Sequence, residues 1–227
     1  MSAPAAVRDL LRALDPVALA TDAGFPPDPW QAELLRSTAR EVILLCSRQS
    51  GKSTTVATIA LHQALYFPER LVLILAGAGR QSGEMLTKVK EAYNAVLGLP
   101  TKLVSSSDNA HELDNGSRIV SLPSTEGTIR GYSAPALVVF DEAARVPDSL
   151  YQSVRPMLAV SGGRIVLLST PFGKRGFFYR EWLDGGPHWH RIQATAFDCP
   201  RIAPDWLAKE RERIGEWWFR QEYGCEW

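Results

Sequence analysis

Residues 41–55 combine an apolar stretch with a short polar loop of the kind that binds phosphate groups. Val42 to Cys46 has the composition of a strand, Gly51-Lys52-Ser53 follows, and a helical pattern begins there. At such a loop, backbone N–H groups and a helix N-terminus point at anionic oxygens, which a lysine then contacts. We therefore predict that Lys52 reaches the β- and γ-phosphates of a nucleotide and that the Ser53 hydroxyl ligates Mg²⁺.

This loop departs from the full phosphate-loop (Walker A) signature, which has a glycine five positions before Gly51. Cys46 stands there instead, so residues that carry a Cβ atom must make the turn. Arg48 lies inside the loop, where a guanidinium can stabilise charge at the γ-phosphate, although a surface ion pair is the alternative. The predicted nucleotide contacts of the loop are Ser47, Arg48, Gln49, Ser50, Gly51, Lys52, Ser53 and Thr54.

A second motif supplies two adjacent carboxylates. The apolar run 137–140 ends in Asp141 and Glu142, as expected for a buried parallel strand (Walker B) whose carboxyl end faces a ligand. Asp141 is placed to hold the Mg²⁺ shell, directly or through water, and Glu142 to orient and deprotonate an attacking water. The two motifs together predict a site that binds and hydrolyses a nucleoside triphosphate.

Composition sets the limits on the class of protein. A chain of 227 residues with 45% hydrophobic and 22% charged residues suits one globular α/β domain. No apolar stretch approaches a membrane span, and the N-terminus lacks the pattern of a signal peptide. The three separated cysteines favour reduced thiols over disulfides or zinc. The 25 basic and 25 acidic residues balance, so DNA contact would need a local basic face.

Helical and strand patterns alternate along the chain, which predicts a mostly parallel sheet flanked by helices. Asp28 is the expected N-cap of a helix that starts at Pro29, after a loop rich in proline and aspartate. Asp114-Asn-Gly116 is a hairpin turn signal within 101–122. The predicted helices cover 3–14, 29–39, the phosphate loop to 67, 81–97, 147–160, 176–184, 204–214 and 216–223, and the strands 42–46, 71–76, 137–141, 164–170 and 189–196.

Three further positions have residue types suited to a nucleotide site. Ser169 and Thr170 end an apolar strand, where their hydroxyls can sense the γ-phosphate or simply cap the strand. Gln31 precedes the first core strand and can read the adenine edge, with ordinary placement on a helix surface as the alternative. Arg130, beside Gly131, suits an arginine finger that enters a neighbouring subunit's site.

Taken together, these motifs resemble the ATPase domain of the large terminase subunit, the motor that packages DNA into viral capsids. The resemblance implies a RecA-like P-loop ATPase of the ASCE type with a small C-terminal helical lid. We expect 1–198 to form the ATPase core with an N-terminal helical extension and 199–227 the lid or linker helices. The matching segments are Asp28-Pro-Trp-Gln31, Ser47-Arg-Gln-Ser-Gly-Lys-Ser-Thr54, Arg80-Gln-Ser82, Ile129-Arg-Gly131, Val138-Val-Phe-Asp-Glu-Ala143, Leu168-Ser-Thr-Pro171, Gly173-Lys-Arg-Gly-Phe-Phe-Tyr179 and Arg220-Gln-Glu-Tyr223.

The resemblance also assigns roles and partners. It implies that Arg48 acts in cis, that Arg130 is the trans finger, and that Ser169 and Thr170 couple hydrolysis to movement. ATP and Mg²⁺ are the implied cofactors. The implied partners are double-stranded DNA, a portal protein, a small terminase subunit and further copies in a pentameric ring, in the bacterial host cytoplasm on a viral procapsid. Because no acidic triad is visible after Thr170, we expect ATPase activity without DNA cleavage from this chain.

Three other functional hypotheses would also account for these motifs. A helicase with two RecA-like domains would need a second domain of similar size, for which the chain has no room. A regulatory module that binds ATP without hydrolysing it has no need of a water-activating carboxylate such as Glu142. A small-molecule kinase would need an acceptor site, and the sequence offers no candidate for one.

Overall fold

An eight-stranded sheet forms the centre of the computed structural model, which describes residues 4–76, 79–124, 126–129 and 131–227. The strands are β1 (Glu41–Cys46), β2 (Leu71–Ala76), β3 (Leu103–Ser106), β4 (Ala110–Leu113), β5 (Arg118–Pro123), β6 (Leu137–Asp141), β7 (Arg164–Ser169) and β8 (Trp189–Ala194). The helices are α1 (Ala5–Leu14), α2 (Pro16–Asp22), α3 (Pro29–Arg36), α4 (Lys52–Tyr66), α5 (Gly79–Ala95), α6 (Glu126–Ile129), α7 (Asp148–Ser161), α8 (Gly176–Asp184), α9 (Pro204–Ile214) and α10 (Glu216–Glu222). None of these described helices is long and apolar enough to cross a bilayer.

The strand order is β3-β4-β5-β2-β6-β7-β1-β8, and all pairs from β5 to β8 are parallel. Strands β3 and β4 extend the sheet in antiparallel pairing. Strand β2 lies between β1 and β6 in sequence. In the sheet, however, it lies on the side of β6 that faces away from β1. It is β7 that separates β1 from β6, so the phosphate-loop strand and the acidic strand are not neighbours. Their carboxyl ends still share one edge of the sheet, where open α/β folds bind ligands.

The central strands are apolar on both faces because helices cover both sides of the sheet. In β1, Val42 and Leu44 pack in the cluster that includes α2, α3, α4 and α5. Ile43 and Leu45 point the other way, toward α7 and α8. This double burial explains why β1 reads as a continuous apolar run rather than an alternating one. It also fixes the strand ends that carry the site.

Sequence-based predictions of the helices and strands agree with the structure, except for two missed helices, α2 and the short α6, and shifts at several ends. The region between Leu14 and Pro29, which we expected to be a loop, contains helix α2. Asp15 caps this helix by accepting a hydrogen bond from the Val17 N–H at 3.0 Å, and Pro16 occupies its first turn. The predicted helix from 29 to 39 ends earlier, at Arg36. Prolines therefore start a helix here instead of interrupting one.

The predicted hairpin turn joins β4 to β5. Gly116 has φ +81°, a left-handed conformation that favours glycine, and its N–H donates to the Leu113 carbonyl at 3.0 Å. Asp114 accepts from the Lys102 N–H at 2.9 Å, which ties the turn to the segment entering β3. The hairpin signal is thus confirmed, with β3 as an additional edge strand.

Helices α9 and α10 pack on a small apolar cluster of their own. Its buried residues are Ala196, Leu207 and Phe219, with partly buried Tyr223 against them. The Ala196 N–H donates to the Tyr223 carbonyl at 2.9 Å and so joins this cluster to the end of β8. We refer to residues 199–227 as the lid segment. Its division from a core of 1–198 remains a prediction.

Candidate active site

The loop between β1 and α4 turns without the usual first glycine. Two left-handed residues make this turn, Gln49 with φ +58° and Gly51 with φ +88°. We expected residues with a Cβ atom to make the turn, and Gln49 is one of them. A Cβ atom at Gly51 would lie 2.7 Å from Gln31 Nε2. Gly51 is therefore required both by its backbone conformation and by the close approach of Gln31. Cys46, at the position of the missing glycine, is fully buried at the end of β1.

Gln31 supports the loop from beneath, and its contacts do not agree with the expected adenine-reading role. Its Oε1 accepts from the Asp28 N–H at 2.7 Å, and its Nε2 donates to the Ser50 carbonyl at 3.2 Å. The side chain is fully buried. Both ends of the amide are thus used by the main chain, because a buried amide must be satisfied locally. In this conformation Gln31 positions the phosphate loop instead of facing a ligand.

Arg201 is a second support that the sequence reading missed. Its guanidinium makes two hydrogen bonds to Asp28, at 2.8 and 2.6 Å, and a third to the Ser50 carbonyl at 3.2 Å. Asp28 also belongs to the capping box at the start of α3. These contacts link the start of the lid segment to α3 and the loop. Because Arg201 lies far from Asp28 in sequence, no local signal indicated the pair.

A cavity of about 700 Å³ opens at the carboxyl ends of β1 and β6, a volume suited to a small-molecule ligand. In its wall, Lys52 Nζ lies 2.5 Å from Glu142 Oε1. The phosphate loop and the acidic motif therefore meet in space. The residues that line the cavity are Arg48, Gln49, Gly51, Lys52, Ser53, Lys88, Ser124, Glu142, Arg145, Val146 and Pro147. Lys88, Ser124 and Arg145 were not among the predicted site residues.

The two adjacent carboxylates stand in different environments. Asp141 is buried, and burial raises the pKa of its carboxyl to about 6, although Lys52 opposes the shift. Burial also acts to lower the pKa of Lys52, but its negative neighbours, Glu142 and Asp141 among them, outweigh it and raise that pKa. Lys52 is therefore charged at neutral pH. A cation beside Asp141 would lower that pKa by stabilising the ionised carboxylate.

Glu142 has an unusual backbone conformation for its residue type. Its φ of +55° is left-handed, and it caps the one-turn 3₁₀ helix Ala143–Arg145. Its N–H donates to Asp141 Oδ1 at 3.0 Å. Non-glycine residues in this region cost energy and concentrate at functional sites. The turn directs Glu142 away from the strand and into the cavity, while Asp141 stays buried beneath it.

The donor set at the cavity fits a hard divalent cation. Ser53 lines the cavity at the start of α4, and Asp141 is a buried carboxylate whose pKa is raised by burial. Within the described part of the chain, no group of three or more histidine, cysteine, aspartate or glutamate side chains is arranged to hold a metal. A magnesium ion here would draw its other ligands from phosphate oxygens and water, as Mg²⁺ commonly does.

Arg48 is joined to the lid segment. Its side chain forms an ion pair with Glu222 of α10, and its N–H donates to the Glu222 carbonyl at 3.1 Å. The Arg48 side chain is 58% exposed and also lines the cavity. The arginine expected to reach a γ-phosphate is thus held by a carboxylate at the cavity rim. Glu222 is a contact that sequence spacing could not reveal.

Ser169 and Thr170, the hydroxyl residues of the predicted coupling motif, lie between the phosphate loop and the two acidic residues. Ser169 ends β7 and pairs in register with Leu45 of β1, while Asp141 pairs with Leu168 on the other side. Ser169 and Thr170 are both buried. The Ser169 hydroxyl has no hydrogen-bond partner among the described residues. The sheet order therefore places an unsatisfied hydroxyl at the strand end between the phosphate loop and the acids.

The remaining predicted residues divide by exposure. Ser47 and Ser50 are buried within the loop, where the Ser50 hydroxyl donates to the Ser47 carbonyl at 3.0 Å. Gln49 and Ser53 face the cavity. The Thr54 carbonyl accepts from the Thr58 hydroxyl at 3.0 Å inside α4. Arg130 lies outside the described residues, so its role as a trans finger stays a prediction.

Comparisons with known proteins agree with these features. A family profile described as terminase large subunit, T4likevirus-type, N-terminal, matches residues 43–227. The terminase large subunit of Thermus phage G20c is 27% identical over 240 residues, which cover 89% of this chain and 49% of that protein. This chain thus spans about half the length of that relative.

Solved structures share the fold. The ATPase domain of the large terminase of Thermus phage P74-26 has a TM-score of 0.79 at 24% identity, covering 91% of this chain and 96% of that one. The large terminase of a thermophilic bacteriophage, in complex with ATP-gamma-S, has a TM-score of 0.70 at 16% identity, covering 88% and 52%. With the profile match over most of its length, the chain belongs to the family of terminase large subunits.

Proposed function

We propose that this chain is the ATP-hydrolysing motor domain of a phage DNA-packaging terminase, which drives double-stranded DNA into a capsid. The observation that carries the proposal is the contact of Lys52 with Glu142, at 2.5 Å, in the wall of a cavity of about 700 Å³. It brings a phosphate-binding cation and a candidate general base to one place. Family membership gives the proposed substrate and the purpose of the reaction.

The phosphates would occupy the cavity above the phosphate loop. There Lys52 and the N–H groups at the start of α4 supply positive charge, and the helix dipole adds to it. Ser53 and Asp141 would hold Mg²⁺, which would supply positive charge against the phosphates. ATP-gamma-S in the structurally similar bacteriophage terminase supports a nucleoside triphosphate as the ligand.

Hydrolysis would use Glu142 as the general base. The carboxylate accepts a proton from a water molecule whose oxygen attacks the γ-phosphorus. A bond forms between that oxygen and phosphorus, the bond to the β,γ-bridging oxygen breaks, and ADP leaves with the electron pair. The proton on Glu142 passes to phosphate or solvent, so that ATP and water give ADP and phosphate. Arg48 and the trans finger Arg130 would stabilise the charge that develops.

The adenine would lie beyond Gln49, in a second groove of about 370 Å³. Gln49 lines both this groove and the phosphate cavity, so the two lie next to each other. Trp206 and Tyr223 form a T-shaped aromatic pair there, with ring centroids 5.7 Å apart. Arg201, Ile202 and Ala203 complete the walls. A flat apolar base suits such aromatic surroundings, whereas the fully buried Gln31 has no free polar edge to offer.

The lid segment and the coupling motif would convert hydrolysis into movement. Glu222 of the lid segment holds Arg48 in the ion pair described above, so a γ-phosphate that attracts Arg48 competes with the lid. Ser169 and Thr170 would respond to the same phosphate. The proposed assembly is a pentameric ring with portal protein, small terminase subunit and DNA, docked on a procapsid in the host cytoplasm. We propose that this chain does not cleave DNA.

The experiment compares wild type with Glu142→Gln in phosphate release and in binding of a fluorescent ATP analogue. We expect turnover to fall by about 10²- to 10⁴-fold, because a positioned general base contributes on that order, while affinity stays within about twofold. Glu112→Gln, an exposed strand position, is the matched control. Wild-type binding without turnover would favour a regulatory module, and unchanged turnover in Glu142→Gln would contradict the assignment.

A further inference from the structure

We infer that Arg145 is a positioning residue that holds Glu142 in place for catalysis once Lys52 has turned to the phosphates. The inference rests on the proposed function and adds a residue to it. Arg145 lines the same cavity as Lys52 and Glu142. It was not singled out by any motif in the sequence.

The two oxygens of the Glu142 carboxylate face two different cations. Lys52 Nζ lies 2.5 Å from Oε1, and Arg145 Nε lies 4.0 Å from Oε2. Lys52 carries a single positive charge, so phosphate oxygens that contact its ammonium group weaken its attraction for Glu142. When phosphate oxygens take Lys52, the attraction on Oε1 falls and the contact with Arg145 is what keeps the carboxylate oriented.

The local backbone brings Arg145 to Glu142. In the 3₁₀ helix Ala143–Arg145 the Arg145 N–H donates to the Glu142 carbonyl at 2.8 Å. Residues three apart on a 3₁₀ turn are nearly eclipsed, so their side chains project in the same direction. The left-handed conformation of Glu142 starts this turn. The left-handed conformation of Glu142 therefore also brings Arg145 close to its carboxylate.

Arg145 is itself held by an aromatic ring. Its guanidinium carbon lies 3.9 Å from the centroid of Phe172, within the range of a cation–π contact. Phe172 follows directly on Ser169-Thr170-Pro171. A flexible arginine that is 42% exposed gains a fixed orientation from this stacking. The contact also connects Glu142, through Arg145, to the segment after the coupling motif.

Arg175 provides a matched control. Its guanidinium carbon also lies over Phe172, at 4.7 Å from the ring centroid, but Arg175 is not among the residues that line the nucleotide cavity. A substitution there removes an arginine from the same ring without removing a partner of Glu142. The pair Arg145→Ala and Arg175→Ala thus separates positioning of Glu142 from a general effect on the aromatic stack.

The test measures kcat for phosphate release, Kd for a fluorescent ATP analogue and melting temperature in each variant. For Arg145→Ala we expect kcat to fall by about 10- to 100-fold, since misplacing a reacting group by an ångström costs on the order of 10²-fold. Kd should stay within about twofold. Arg145→Lys, which keeps the charge but not the planar stack, should recover part of kcat, and Phe172→Leu should lose about threefold or more.

Several outcomes would overturn the inference. An unchanged kcat in Arg145→Ala would do so, as would a rise in Kd at constant kcat, which would make Arg145 a phosphate ligand. An equal loss in Arg175→Ala would assign the effect to the stack. The proposed function has its own readout: absence of wild-type turnover would remove it and this inference together, whereas loss in Glu142→Gln with normal Arg145→Ala would remove only the inference.

Discussion

The phosphate cavity and the lid segment differ in how much of the molecule supports them. The cavity stands on the ends of β1, β6 and β7, whose residues are buried on both faces of the sheet. Helices α9 and α10 share a cluster of three fully buried residues and leave Trp206, Trp217 and Trp218 about half exposed. Chemistry that needs fixed distances is thus built on rigid strands, and the part expected to move has a small core.

The C-terminal end of the lid segment packs in the core cluster, and the contacts described near the site are largely polar. Arg48 pairs with Glu222, and Arg201 pairs with Asp28 and the Ser50 carbonyl. Both arginine side chains are about half exposed, so each pair contributes little to stability, on the order of 1 kcal/mol or less. These ion pairs alone do not fix the lid segment. A phosphate group that attracts Arg48 is able to replace one of them.

The largest expected effect tests the rigid side of this comparison. Lys52→Ala removes the cation that contacts Glu142, and we expect turnover to fall by about 10³-fold, as for loss of a charge-stabilising donor. Unlike Glu142→Gln, this change should also weaken binding of the ATP analogue, because Lys52 would contact the phosphates. Phosphate release and analogue titration measure the two effects. Lys90→Ala, an exposed position of α5, is the control. Normal affinity in Lys52→Ala would contradict the placement of the phosphates.

The parts of this site that could be predicted from sequence are those fixed by local patterns. The strand, loop and helix around Gly51 and the acids after β6 follow from apolar runs and from residue types that phosphate chemistry requires. Once Cys46 replaced the glycine, a turn made by residues with a Cβ atom was expected, and only the structure shows that Gln49 is one of them. Helix α2 was missed because proline and aspartate suggested a loop, although Asp15-Pro16 repeats the capping pattern of Asp28-Pro29.

The contacts that sequence could not supply join residues far apart in the chain. Gln31 bonds to Ser50 instead of facing a ligand, which depends on how α3 packs beneath the loop. The pair of Arg48 and Glu222 spans 174 positions. The position of β7 between β1 and β6 is a property of the sheet order, so the neighbours of Ser169 became clear only in the fold. Spacing along the chain carries no information on such pairings.

A pair of phenylalanine substitutions should separate the stabilities of the two regions. Phe140→Ala opens a cavity in the fully buried centre of β6 and should lower the free energy of unfolding by about 3–5 kcal/mol. Phe219→Ala acts on the small lid cluster and should mainly increase amide exchange across α9 and α10. Denaturant unfolding and hydrogen exchange measure these effects.

Equal losses of global stability in the two phenylalanine variants would mean that the lid segment unfolds together with the sheet. In that case the comparison of a rigid site with a separately opening lid would be wrong. Increased exchange confined to α9 and α10 in Phe219→Ala, with β1 and β6 protected, is the expected pattern. Phe197→Ala, which alters an exposed ring that also contacts Phe219, serves as the control.

A smaller effect is expected at the contact between the two regions. Glu222→Gln removes the charge that holds Arg48 while keeping its shape and its main-chain contact. Freed from this ion pair, Arg48 should bind a γ-phosphate more readily, and affinity for the ATP analogue should rise by about two- to fivefold, equivalent to about 1 kcal/mol or less. Glu226→Gln, which frees Arg220 instead, is the matched control. Reduced affinity in Glu222→Gln would contradict the proposed competition.

The smallest expected effect is on the pH dependence of stability, and it should concern the core and not the lid segment. His62 of α4 is buried, and burial lowers its pKa from 6.5 despite hydrogen bonds to the Arg12 and Ala13 carbonyls and the charge of Asp15. His62 therefore binds a proton more readily in the unfolded chain. Its contribution to stability is fully present above about pH 6.5 and is lost as the pH falls toward the lower folded pKa. His62→Gln should flatten this dependence in denaturant unfolding between pH 7 and 5. Amide exchange in α9 and α10 should not follow it, since His62 lies in α4 and bonds to carbonyl groups of α1. An unchanged slope in His62→Gln would show that other groups control acid stability.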